Sequence, residues 1–291
     1  MKLYRDVPVF RKIAMGTWGN CNSASVFAQL DIDMSEALRF SKEYAHRHGI
    51  KLSPIHLVGR ALVHCFLRTP EINGMIRGSR IYLRDHVDLF FSVNVPGEGA
   101  DKVRGANLSG ATVRSAEILS LAGIAQSLQD QASKVKSRQE KNFKSTFQIL
   151  KWVPWWGARA FLNLVSFLNY GLNLNLSWLG IPKDPFGSVI ITNLGSLGID
   201  SAFAPLMPHS RVPMLVCIGS IQDKAVVING KVEIRPLMFV GVTFDHRLID
   251  GVHAAQMSQD FQACFKDPWR FLGDEPHYRP GETRDSGPNN H

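Results

Sequence analysis

From Phe186 to Asp245 the chain is a succession of β-branched runs, "FGSVIITNLG", "PMLVCIGSI", "KAVVINGKVEIRP" and "LMFVGVTFD", separated by turn residues. No other feature constrains the fold as strongly. Val, Ile and Thr are stiff at χ1 and pack well on a pleated surface, so each run predicts a strand. Asn229 and Gly230 in "INGK" predict a two-residue hairpin turn, because both residues tolerate the positive φ that such turns require.

The first 130 residues alternate between strand and helix signals. In "SVFAQLDID", Val26, Ala28, Leu30 and Ile32 alternate with mostly polar residues, which predicts a half-buried strand. "MSEALRFSKEYAHRHG" predicts a helix with Ser35 as its cap and Gly49 as its stop. "SPIHLVGRALVHCFLRTPEING" carries proline in its first turn and a long apolar stripe, so it predicts a mostly buried helix. "RIYLRDHVDLFFSVNVP" reads as a hairpin of two strands, and "SAEILSLAGIAQSLQDQASKVKSRQEKN" as a third helix. After Gly251, "VHAAQMSQDFQACFKDPWRFL" returns to helical spacing.

Regular βαβ alternation and a phosphate-cradling glycine motif are both missing from this order, and no internal repeat is visible. With 291 residues and 45% apolar content, the chain supports one α/β layered domain with a mixed sheet. Residues 1–272 form that domain, with an apolar and basic insertion at about 131–183. The polar Pro- and Gly-rich stretch 273–291 predicts a flexible tail. Cys21, Cys65, Cys217 and Cys264 are far apart, and three of them sit in apolar surroundings. That spacing predicts reduced thiols, neither a disulfide framework nor a zinc site, and hence no metal. The charged N-terminus lacks the apolar core of a secretory signal, so the expected location is cytoplasmic.

The formal net charge is +8. Between Gln131 and Lys183 eight basic residues stand against the single acid Glu140, so nearly all the excess is local. No nucleic-acid motif accompanies it, and nucleic acid is not an expected partner.

The clearest chemical feature is "VGVTFDHRLIDG", Val240 to Gly251. A strand pattern ends near Phe244 and a helix starts near Gly251, which puts His246 on a strand-to-helix connection, where catalytic groups are common. Asp250 lies about one turn further on if the connection is helical, and Gly251 would permit a tight bend. On one reading Asp250 fixes the loop by pairing with a distant arginine and leaves His246 free as a base, since imidazoles titrate near neutrality. On the other, Asp245, His246 and Arg247 form an ordinary solvated turn and Asp250 caps the next helix.

"TFDHRLIDG" closely resembles the active-site motif of the dihydrolipoyl acyltransferase catalytic domain, the core of 2-oxoacid dehydrogenase complexes, itself related in fold to chloramphenicol acetyltransferase. "FRKIA" (Phe10 to Ala14), "PEING" (Pro70 to Gly74) and "FGSVIITNLGSLGID" (Phe186 to Asp200) resemble further segments of that family. Condensation domains of peptide synthetases share the shorter H-x-x-x-D-G pattern but usually carry a second histidine where this chain has Asp245.

The resemblance implies a chloramphenicol acetyltransferase-like two-layer sandwich, trimeric, that transfers acyl groups from coenzyme A or another thioester to a thiol, hydroxyl or amine. It implies His246 as general base and Asp250 as a structural acid held by Arg11. Thr192 stands in place of the family's oxyanion-stabilising serine, with Asn193 and Gly195 beside the substrate and Gly251 supporting the loop. It places each site between two protomers of a homotrimer, the histidine from one and the hydroxyl from the next, with larger assemblies of trimers open. For Thr192 the plain alternative is a strand residue packing sideways.

Neither a lipoyl-type lysine hairpin nor an Ala/Pro-rich linker precedes "FRKIA", so the chain is expected to stand alone, to carry no lipoyl group and to meet any lipoyl protein in trans. "GEGADKVRGANLSGATV" lacks the family's proline in the stretch that lines the acyl channel.

The largest departure is Lys144 to Gly180. Phe161, Leu164, Val165, Leu168 and Leu172 form a helical stripe, Leu162 and Phe167 widen it, and only Asn163, Ser166, Asn169 and Asn173 make a polar band. Trp152, Trp155 and Trp156 adjoin basic residues. Three readings compete: packing in the core or a trimer interface; a peripheral anchor on an anionic membrane surface; or docking of an acyl carrier protein or of coenzyme A phosphates. A rival to the enzyme reading is a non-catalytic oligomeric scaffold or membrane-surface protein that retains the fold.

Overall fold

The computed structural model describes residues 24–77, 80–95, 107–136, 154, 157–172, 174 and 183–273. In chain order the strands are β1 (Ser25–Asp33), β2 (Gly74–Arg77), β3 (Arg80–Leu83), β4 (Leu89–Val95), β5 (Asn107–Val113), β6 (Val189–Asn193), β7 (Met214–Ile228) and β8 (Lys231–Asp245). The helices are α1 (Ser35–His48), α2 (Pro54–Arg68), α3 (Leu121–Lys136), α4 (Ala158–Ser166), α5 (Gly251–Lys266) and the single turn α6 (Pro268–Phe271).

The "INGK" turn forms as its chemistry dictates. Asn229 and Gly230 have φ of 50° and 78°, and Ile228 pairs with Lys231. On each side of the turn the expected separate strands fuse into one of 15 residues, β7 and β8. The register shift between Ile218 and Ile221 lets the chain pass Gly219 and Ser220 without ending the strand.

These two strands organise a six-stranded mixed sheet of order β1-β8-β7-β6-β4-β5. The β7–β6 and β6–β4 pairs are parallel, and the other three pairs are antiparallel. Side chains alternate across it. Val189, Ile191, Met214 and Val216 join α1, α2, α3 and α5 in the main core, whereas Ile190, Leu215 and Cys217 face the opposite side, beneath Leu194, Ala204, Leu206 and Met207.

Two local expectations are overturned. Arg80 to Val95 is not a hairpin: β3 pairs with β2 in a separate two-stranded sheet, while β4 joins the main sheet beside β5 and β6. The apolar pattern fitted both halves, but long-range pairing decides which strand meets which. Nor does Ser35 cap α1. It is the first helical residue, and its amide and hydroxyl both donate to Asp33 Oδ1, at 2.9 and 2.6 Å. Gly49 does end α1, at φ 63°. Cys65, Cys217 and Cys264 are buried, as their apolar surroundings indicated. Cys21 and the tail beyond Gly273 lie outside the described residues.

Candidate active site

His246 follows the last residue of β8, and its backbone amide donates to the Ala24 carbonyl at 2.8 Å, which extends the β1–β8 ladder by one rung. The next residues turn sharply. Leu248 and Ile249 amides both donate to the Asp245 carbonyl, at 2.9 and 3.0 Å, and the Ile249 side chain plugs the core with no exposed surface. Arg247 grips Asp245 through two guanidinium contacts of 2.9 and 2.6 Å. This bidentate pair raises the Arg247 pKa further, so the guanidinium stays charged. The loop is therefore clamped at both ends, although His246 and Arg247 themselves are exposed, as in the plainer reading of a solvated turn.

Within this frame His246 Nδ1 lies 3.0 Å from the Ile249 carbonyl oxygen. A carbonyl only accepts, so Nδ1 carries the proton and the Nε2 lone pair is left for chemistry. Among the described residues no group bonds Nε2, and the side chain is exposed in the single chain.

Asp250 is the N-cap of α5. Its Oδ1 accepts from the amides of Val252 at 2.9 Å and His253 at 3.1 Å. The His253 amide bond foremost, with the neighbouring imidazoles and the Val252 amide, holds its carboxyl below the usual range against the opposing effect of desolvation. Helix capping is thus its visible role, and Arg11, the expected partner, lies outside the described residues.

A cap predicts an ordering of variants. Asp250→Ala lowers the melting temperature, while Asp250→Asn, an equally good cap, leaves it nearly unchanged, as calorimetry at neutral pH will read. Because the folded pKa is depressed below the ordinary 3.8, the charged cap's contribution is present above that pH. The part due to charge is lost as pH falls through the folded value, where the gap between wild type and Asp250→Ala narrows.

Gly251 does not make the tight bend. It has no positive φ and is the first residue of α5, and a Cβ there would meet nothing within 4 Å. Its neighbour His253, not singled out from the sequence, places Nδ1 3.0 Å from Asp250 Oδ1 and Nε2 3.7 Å from Glu71. The D-x-x-H spacing before an apolar helical run was the available signal, since a residue at that position folds back on the cap.

Thr192 is the fourth residue of β6, half-buried, on the sheet face opposite the helices. Among the described residues its hydroxyl has no hydrogen-bond partner. Asn193 turns the chain at the end of the strand: its Oδ1 accepts from the Ser196 amide at 3.2 Å and its carbonyl from the Ser196 hydroxyl at 2.8 Å. Gly195 is needed for close packing, because a Cβ there would stand 2.5 Å from the Gly219 carbonyl oxygen.

The structure does not bring Thr192 and His246 together within one chain. Thr192 is level with Cys217, which is level with Gly241, five residues before His246. At about 3.3 Å per residue and about 4.8 Å per strand, the two backbone positions are roughly 19 Å apart. That gap exceeds what a threonine and an imidazole can span. The chain's apolar cavity of about 60 Å³ beneath this loop is lined by Phe244, Ile249, Ala254 and Met257, and His246 is not part of its wall.

The sequence profile of the family described as 2-oxoacid dehydrogenases acyltransferase (catalytic domain) matches residues 17–146 and 185–273. The dihydrolipoyllysine-residue succinyltransferase component of the Escherichia coli K12 2-oxoglutarate dehydrogenase complex is 25% identical over 252 residues, covering 84% of this chain and 49% of its own length. The chain thus spans about half the length of the curated relatives it matches.

Among solved structures, the cubic core of a pyruvate dehydrogenase multienzyme complex superposes with a TM-score of 0.65 at 18% identity, over 93% of this chain and 94% of that one. Azotobacter vinelandii dihydrolipoamide acetyltransferase gives 0.61 at 18% identity, over 91% and 87%. The work on that enzyme concerned the role of a serine, a histidine and an asparagine four residues after the histidine in its catalytic mechanism. These likenesses establish the fold as that of an acyltransferase core.

Proposed function

Because the chain belongs to the catalytic-domain family of the 2-oxoacid dehydrogenase acyltransferases, we propose that it moves an acyl group between a thioester and a thiol, with coenzyme A as one thiol carrier and His246 as the base. The observation that carries this reading is the His246 ring anchored through Nδ1 on the Ile249 carbonyl, with Nε2 open. Two further observations support it. The spacing of His246 and Asp250 equals that of the histidine and asparagine in the Azotobacter enzyme, and Thr192 offers an unengaged hydroxyl in the segment that resembles the family's serine motif.

In this mechanism His246 Nε2 takes the proton of the attacking thiol as its sulfur bonds to the thioester carbon. The carbonyl oxygen becomes an oxyanion, which accepts a hydrogen bond from Thr192. Collapse of the tetrahedral intermediate breaks the original carbon–sulfur bond, and the departing thiolate receives the proton held by His246. The reaction is symmetrical, one thioester and one thiol on each side, so a single base serves both directions.

The separation of Thr192 from His246 requires the two groups to come from different chains. We therefore read the working unit as a cyclic homotrimer in which each site joins the His246 end of one protomer to the Thr192 face of the next. A lipoyl group, on this reading, reaches the site from another protein. Incubating the chain with acyl-coenzyme A donors of increasing length and free dihydrolipoamide tests the proposal. Coenzyme A release that depends on dihydrolipoamide, together with formation of the acyl-dihydrolipoamide, is expected. Failure of every donor from acetyl to long chain, with a lipoyl domain also tried as acceptor, would sink it.

A further inference from the structure

The helix α4 and the π-helical turn that follows it, Phe167–Gly171, are not enclosed as a core element would be. The expected polar band divides: Ser166 and Asn169 are buried, with Tyr170 beside them, whereas Asn163 is exposed and Asn173 lies outside the described residues. Part of the apolar stripe faces out, Leu164 and Leu172 each 54% exposed beside Phe167 at 57% and Leu174 at 45%, while Phe161, Val165 and Leu168 are half-buried.

Arginines set this orientation. Arg211 Nη2 donates to the Ser166 hydroxyl at 3.3 Å and its guanidinium lies 5.7 Å from the Tyr170 ring, while Arg77 Nε donates to the Tyr170 carbonyl at 2.7 Å. Arg84 in turn holds the Arg211 carbonyl at 3.2 Å. Beside this clamp the β2–β3 ribbon adds Ile81 and Leu83, each 57% exposed. Polar contacts thus fix the helix to the domain, and large apolar side chains are left in water, which marks an interaction surface.

Charge identifies the occupant. The segment 131–183, which contains this helix, carries a net seven positive charges in sequence, with Glu140 the only acid. A surface with negative headgroups over an apolar interior suits both properties at once. Among the described residues no helix is long and apolar enough to cross a membrane.

We propose that the outward face of α4 and its π turn, through Leu164, Phe167 and Leu172, docks the protein on anionic lipid bilayers. Such a surface would hold the protein beside acyl thioesters that partition into lipid.

Co-sedimentation of the whole chain with vesicles of phosphatidylcholine, alone or mixed with phosphatidylglycerol, tests this. Binding is expected only with phosphatidylglycerol, falling as salt rises. Leu164→Ser combined with Phe167→Ser should weaken it by about tenfold or more, with sedimentation mass unchanged. Hydrogen exchange on the unsubstituted protein supplies a second reading, since amides of 158–171 should gain protection when anionic vesicles are added. Absence of binding, equal binding by the double variant, unchanged exchange, or a change of mass in the variant that reveals a contact between copies would each overturn the proposal.

Discussion

His246→Ala will lower the rate of acyl transfer by about 10²–10⁴-fold, the usual contribution of a positioned base. The folded, assembled protein should persist. Among the described residues His246 is exposed and makes one side-chain bond, to the Ile249 carbonyl, whereas the loop is held by the Asp245–Arg247 pair and the buried Ile249. A surface side chain of that kind usually alters stability by no more than about 0.5 kcal/mol. Thermal unfolding and sedimentation, measured beside thiol-release kinetics, separate the two effects. An unchanged rate would remove His246 from the mechanism, and an unfolded variant would remove the argument that the frame is independent of the ring.

Thr192→Val keeps the β-branched shape that β6 favours and deletes only the hydroxyl. Losing one oxyanion donor should lower kcat by about 10²–10³-fold with little change in KM, while Thr192→Ser should retain most activity. The distance between Thr192 and His246 adds a sharper outcome. In a cyclic trimer formed at random from equal amounts of His246→Ala and Thr192→Val chains, about a quarter of the interfaces join an intact histidine to an intact hydroxyl. Co-expression of the two inactive variants should therefore recover about a quarter of the wild-type rate. No recovery would mean that the groups do not meet across an interface.

Much of this architecture was legible along the chain. The strand β1 and the helices α1, α2 and α5 lie where apolar periodicity placed them, because each is a local pattern matched to one buried face. The turn at Asn229–Gly230 was legible for a still more local reason, two residues able to take positive φ. Pairing was not. Arg80–Leu83 and Leu89–Val95 have the composition of a hairpin, yet hydrogen bonds from distant segments claim them for different sheets.

Of the site, the sequence by itself determined the chemistry on offer: an imidazole at 246, a carboxylate at 250 and a hydroxyl at 192, in strings that resemble one acyltransferase family. Only tertiary structure decided how they are used. It turned Asp250 into a helix cap, chose the His246 nitrogen that keeps its proton and set Thr192 too far away to serve the same chain's histidine. It also left one face of α4 exposed, with Ser166 and Tyr170 held inward by half-buried arginines and Leu164 and Phe167 in water. The Asp250 cap and the His246–Ile249 bond are local, but the register between strands and the arginine contacts that seat α4 join parts of the chain far apart in sequence, which no local pattern encodes.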